Sequence, residues 1–256
     1  MDLSSGDAPP PGARAPAAPP PLVERDRLLA AFEVLLCSGI PTQLVIGQAL
    51  VLAGYDPFLG AAPQPGPLFT LALLDSVAVV SLIVALMRAH GENVREAFLG
   101  HRPTAREALL GVALVPLLFL GVAITVLVIR AVLPSLHNVA ENPFERMFRT
   151  PGEAALFAIV AVVAGGIREE IQRAFLLRRF EEHLGGAATG LIVVSIAFGA
   201  GHFVQGWDAA VATALLGLTW GVLYLRRRSI VAPVVSHAAY NVMQILQVLM
   251  LSRLPR

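Results

Sequence analysis

The chain contains no lysine and only one cysteine, and charged residues make up 14% of its 256 positions. Each shortage removes a class of protein. A single thiol, Cys37, cannot form an intrachain disulfide or supply a cysteine-based zinc site. A soluble domain carries roughly 25% charged residues, so the polar surface of an ordinary soluble fold is missing. The net charge is +1, and all 19 basic residues are arginine. That balance gives no electrostatic footprint for nucleic acid. His-Glu-x-x-His does not occur, which argues against a zinc protease built on that helix motif. Gly-x-Ser-x-Gly is also absent, and Ser195 has no evident partners, which argues against a serine hydrolase.

Apolar sequence is abundant instead. Hydrophobic residues reach 56%, with a mean hydropathy of +0.70. They fall in blocks long enough to cross a hydrocarbon core of about 30 Å. The expected fold is an all-α, polytopic membrane helical bundle with about seven or eight transmembrane helices. Residues 1–22 read as a disordered Pro/Ala-rich tail without the apolar stretch of a signal peptide. Residues 23–150 read as N-terminal membrane helices and 151–256 as a catalytic helical core.

The first expected span is Leu28 to Ala53, kinked at Pro41. Leu68 to Ala89 follows and contains Asp75, for which Arg130 or a cavity wall is the expected partner. Glu107 to Leu133 is the third. Thr150, Pro151 and Glu153 form a capping box and open a long helix reaching Leu184. At 1.5 Å per residue it spans about 50 Å, so its end, Arg178 to His183, is expected to be solvated. Thr189 to Gln205, a helix capped by Asp208 and ending at Arg226-Arg227-Arg228, and Ile230 to Leu251 complete the set. Trp207 and Tyr224 fit interface anchors. Arginine is concentrated before the first span, after the second, and at 178–179 and 226–228. That bias, to which Arg146 and Arg149 are exceptions, places those ends and the N-terminus in the cytoplasm, in a plasma (inner) membrane.

Three motifs interrupt the last apolar helices: Glu169-Glu170-Ile171-Gln172-Arg173, Phe198-Gly199-Ala200-Gly201-His202, and His237-Ala238-Ala239-Tyr240-Asn241. Ionisable groups inside a bilayer are costly and are retained where they face one another or water. With the Arg-rich ends at the interface, Glu169 and His237 each lie about 13 Å deep and His202 about 18 Å. The three helices can therefore share one cavity open to the cytoplasm. A carboxylate in an apolar pocket gains basicity and can deprotonate water. His237 and Asn241 can donate to an oxyanion. Arg173, i,i+4 from Glu169, can hold that carboxylate by an ion pair. Imidazole can also bind metal.

In order and spacing these motifs resemble the CPBP family, which comprises CAAX-type prenyl proteases and bacteriocin-processing and immunity proteins. The resemblance covers roughly Gly152 to Leu251. It departs at the first motif, where one residue is missing between the acidic pair and Arg173. Anchored on the acids, Glu169 is the first family Glu; anchored on Arg173, it is the second and Arg168 takes the first position. The resemblance implies an intramembrane endopeptidase. Glu169 and His202 would activate water, His237 and Asn241 would stabilise the oxyanion, Glu170 would be a further catalytic acid, and Arg173 would support them. No cofactor is fixed by the sequence. A divalent metal such as zinc, held by Glu169, His202 and His237, stays open. The implied partners are the lipid bilayer and a membrane-accessible peptide or protein substrate, prenylated or unmodified. The competing function is a non-catalytic scaffold or a transporter; no internal repeat of the kind many transporters carry is visible.

Overall fold

The computed structural model describes residues 24–57, 64–148 and 150–251; the tail 1–22 lies outside them. Among the described residues all regular structure is helical, so each spanning backbone satisfies its own polar groups. The first apolar block forms two helices, α1 (Glu24–Leu36) and α2 (Ile40–Leu52). The block still counts as one stretch long enough to span, but a break replaces the kink expected at Pro41. The break falls at Gly39, whose φ of 84° lies in the left-handed region that glycine tolerates. Pro41 stands in the first turn of α2, where its missing N–H is harmless.

Next come α3 (Pro65–Ala89), a short α4 (Val94–Leu99) between the second and third expected spans, and α5 (Thr104–Val132). The capping box at Thr150 and Glu153 forms and opens α6 (Pro151–Val160). The helix then continues as a π-helical segment, Ala161–Arg168, and as α7 (Glu169–His183). The sequence reads as one long α-helix here and shows no sign of the wider turn. After α8 (Gly186–Ala200) and a 3₁₀ turn (Phe203–Gln205) come α9 (Trp207–Arg227) and α10 (Val231–Leu251).

Five helical stretches are long and apolar enough to cross a membrane: 24–52, 65–89, 94–132, 207–227 and 231–251. The continuous rod Pro151–His183 and the shorter apolar α8 lie among them. The protein is therefore a multi-pass membrane protein. Its outer faces carry exposed Leu44, Leu117, Leu127 and Ile196, an apolar surface suited to lipid. Inside, α10 packs against α5 and the π segment, and α8 packs between α7 and α9.

Buried ion pairs tie the ends of the bundle. The Arg178–His183 end is not simply solvated. Arg179 is buried and pairs with Glu33 of α1 and with Glu92, each at 2.6 Å. Arg228 pairs with Glu181, Arg227 with Glu107, and Arg102 donates to the Arg227 carbonyl. These contacts gather the arginine-rich turns at one end of the bundle. At the other end Arg130 and His137 bond Asp208, at 3.0 and 2.9 Å. Asp208 thus sits in the first turn of α9 rather than capping it. Asp75 pairs with Arg168, not with Arg130. Tyr224 is buried and donates to the Ala97 carbonyl at 3.2 Å, so it is no interface anchor; Trp207 is half exposed at the start of α9.

Candidate active site

The acidic pair opens α7 directly below the π segment, and α10 lies across it. Two glycines allow that crossing. A Cβ on Gly166 would stand 2.8 Å from the Ala238 Cβ, and one on Gly165 would stand 2.6 Å from the Asn241 amide nitrogen. Small residues at such points let helix backbones approach closely. The packing carries a prediction: Gly166→Val forces the helices apart. Overpacking of this kind costs about 1–3 kcal/mol, and thermal unfolding in detergent is expected to show the loss. An unchanged melting temperature would mean that this crossing bears no load.

At the crossing, His237 reaches both acids. Its Nδ1 is 2.8 Å from Oε1 of Glu170, and its Nε2 is 3.8 Å from Oε2 of Glu169. The two acids differ sharply in environment. Glu170 is 1% exposed and is also paired with Arg173. The Glu169 side chain is 21% exposed. Glu169 is partly open, whereas Glu170 is spent on its two partners. The expected ion pair between Glu169 and Arg173 does not form; Arg173 turns to Glu170, three residues away.

The imidazole of His237 is fixed on its faces as well as its edge. Trp220 stacks on it with ring centroids 3.8 Å apart, and the indole N–H donates to Ser236 at 3.0 Å. Phe198 meets it edge-on at 6.0 Å, and the Arg173 guanidinium lies 4.4 Å from the Phe198 centroid. Trp220 was not legible as a site residue. The available signal was its place in mid-span, four residues from Tyr224 on the same face of α9.

His202 is placed differently from its sequence reading. It follows the end of α8 in a turn, rather than riding inside the helix. Its ring meets Phe198 at 4.9 Å, so Phe198 is the shared neighbour of both histidines. Nδ1 of His202 lies 2.8 Å from the Phe198 carbonyl and donates to it. In the neutral ring that leaves the Nε2 lone pair available to accept a proton. Arg168 points away from this cluster, to Asp75.

Among the described residues no three His, Cys, Asp or Glu side chains stand together as a metal site. The trio Glu169, His202 and His237 is thus not assembled as a ligand set. The groups on hand are acid–base and hydrogen-bonding groups: one partly open carboxylate, an imidazole held by a buried carboxylate, and a side-chain amide.

A polar cluster of acids and imidazole thus sits inside the apolar bundle of a multi-pass membrane protein. Residues 151–243 match the family model described as Rce1-like, type II CAAX prenyl endopeptidase. That segment is similar to a family of membrane proteases, in agreement with the resemblance drawn from the motifs. No curated protein and no solved structure matches the chain significantly.

Proposed function

We propose that this protein hydrolyses a peptide bond at the Glu169–His237 site, with water as the nucleophile. The observation that carries the reading is His237 set between two adjacent acids of unequal exposure. Glu169 takes a proton from water as the hydroxide attacks the scissile carbonyl, and returns a proton to the leaving amine. His202 assists through its free Nε2. The carbonyl oxygen gains charge and accepts hydrogen bonds from the Asn241 amide and from Nε2–H of His237 in its cationic form. Glu170, bonded to Nδ1, holds the His237 ring in register, as a buried carboxylate does in a catalytic triad. Arg173 compensates the buried charge of Glu170.

The substrate class is a peptide segment presented at or within the membrane. Purified protein in liposomes, given a membrane-anchored peptide with and without a prenylated C-terminal cysteine, tests this by mass spectrometry. Two products whose masses sum to the peptide plus water support hydrolysis. Cleavage of the prenylated peptide alone assigns CAAX-type specificity. An intact peptide in both cases, recovered bound to the protein, would favour the scaffold reading.

The arginine-rich end gathered by Arg102, Arg178, Arg179, Arg227 and Arg228 supports a cytoplasmic orientation for that end in the plasma membrane. Cys37 is buried, so single-cysteine labelling can be read against a quiet background. Tyr55→Cys is expected to react with an impermeant thiol reagent on intact cells, and Arg226→Cys only after lysis. The opposite pattern would invert the orientation.

A further inference from the structure

A second buried charge cluster lies on the far side of the same helix. Arg168, the last residue of the π segment, is 7% exposed, and Asp75 of α3 is 3% exposed. Nη2 of Arg168 donates to Asp75 at 2.6 Å, and Nη1 donates to Gln172 at 3.0 Å. Gln172 in turn donates to the Cys37 carbonyl at 2.6 Å, in the break between α1 and α2. Thr42 and Gln43 of α2 also donate to Asp75. Gly39 makes room for this: a Cβ there would overlap the Arg168 guanidinium. The network joins the α1–α2 break, α3 and the base of the π segment, with Asp75, Arg168 and Gln172 buried at its centre.

We infer that Asp75 and Arg168 are positioning residues, whose ion pair clamps the π segment and sets the rotation at which Glu169 meets His237. The inference rests on Glu169 as the water-activating base. Three observations carry it. The clamp grips Arg168, the residue immediately before Glu169. Arg168 and Gln172, four apart, share one helix face, and each further residue turns about 100° around the axis. Anchoring that face therefore fixes where Glu169 and Glu170 point. A π-helical segment is also rare, since runs longer than a single turn are unusual. Here the widened stretch holds Gly165 and Gly166 against Asn241 and Ala238. Relaxation to regular α geometry would rotate α6 against α7 and separate the carboxylates from α10. An ion pair of this depth carries a large desolvation cost, and it lies where a small rotation changes the chemistry.

The test separates positioning from mere stability. Arg168→Gln and Asp75→Asn each strand one buried charge and are expected to lower both the melting temperature and kcat. The double variant Asp75→Leu/Arg168→Met removes both charges with apolar groups, which generally restores stability. It is expected to melt like the wild type. Its kcat for membrane-peptide cleavage is expected to fall about 10- to 100-fold, the scale of a misplacement of about 1 Å, with KM within about twofold. Hydrogen exchange in nanodiscs is expected to show lost protection at amides 161–170 and unchanged protection in α9. Recovery of kcat together with stability in the double variant, or unaltered protection at 161–170, overturns the inference. Glu169→Gln is run beside it. If that variant cleaves like the wild type, the catalytic reading has failed, and exchange at 161–170 alone then decides the clamp.

Discussion

Glu169→Gln is expected to abolish proteolysis and leave the bundle folded. The amide is isosteric with the carboxylate but cannot take a proton from water, and loss of a general base costs about 10²–10⁴-fold in rate. The side chain is partly open and its nearest ionic partner, His237 Nε2, is at 3.8 Å. Little folding energy therefore depends on its charge. Initial rates on a membrane-anchored peptide, at equal folded protein, give the first half of the result. Superimposed thermal melts give the second. Wild-type activity in this variant would remove Glu169 from the chemistry.

Glu170→Gln is expected to fail in the opposite way, through stability. Glu170 is enclosed, paired with Arg173 and bonded to His237. Removing its charge strands the Arg173 guanidinium, itself 3% exposed, among Phe198 and Trp220. Breaking one side of a buried pair costs about 3–5 kcal/mol. Replacing both sides, as in Glu170→Leu/Arg173→Met, is expected to recover most of the melting temperature. Activity is not expected to return, because His237 loses the carboxylate that orients Nδ1. A Glu170→Gln variant that melts and cleaves like the wild type would show that the buried pair neither stabilises the bundle nor holds the ring.

The glutamates differ by one position in sequence, and nothing in their spacing distinguishes them. The motif is one residue short of the family pattern, so either alignment leaves the role of Glu170 open. What separates the two acids is the π segment containing Gly165 and Gly166, which sets the angle at which α7 leaves the crossing with α10. An eight-residue π stretch is a compromise between the local chain and the helices packed on it, so no local residue pattern announces it. The same reason explains Asp75. A carboxylate in an apolar span demands a cation, but both Arg130 and Arg168 satisfy that demand until packing brings one of them to 2.6 Å. Arg179 reads as a solvated end because helix length alone carries it past the membrane. The structure buries it because α1 ends beside it.

The sequence by itself determined that this is a helical membrane protein, because apolar blocks without lipid-compatible alternatives admit little else. It also determined that its second half carries Glu169, His202, His237 and Asn241 in the order of a CAAX-type protease, since residue type and spacing are local properties. Only the tertiary structure decided which partner each charge takes: Glu170 with Arg173 and His237, Asp75 with Arg168, Arg179 with Glu33. It also brought Trp220 onto the His237 ring. Those choices depend on the rotation and crossing of helices far apart in the chain, and a rotation of one residue, about 100°, is enough to exchange one partner for another.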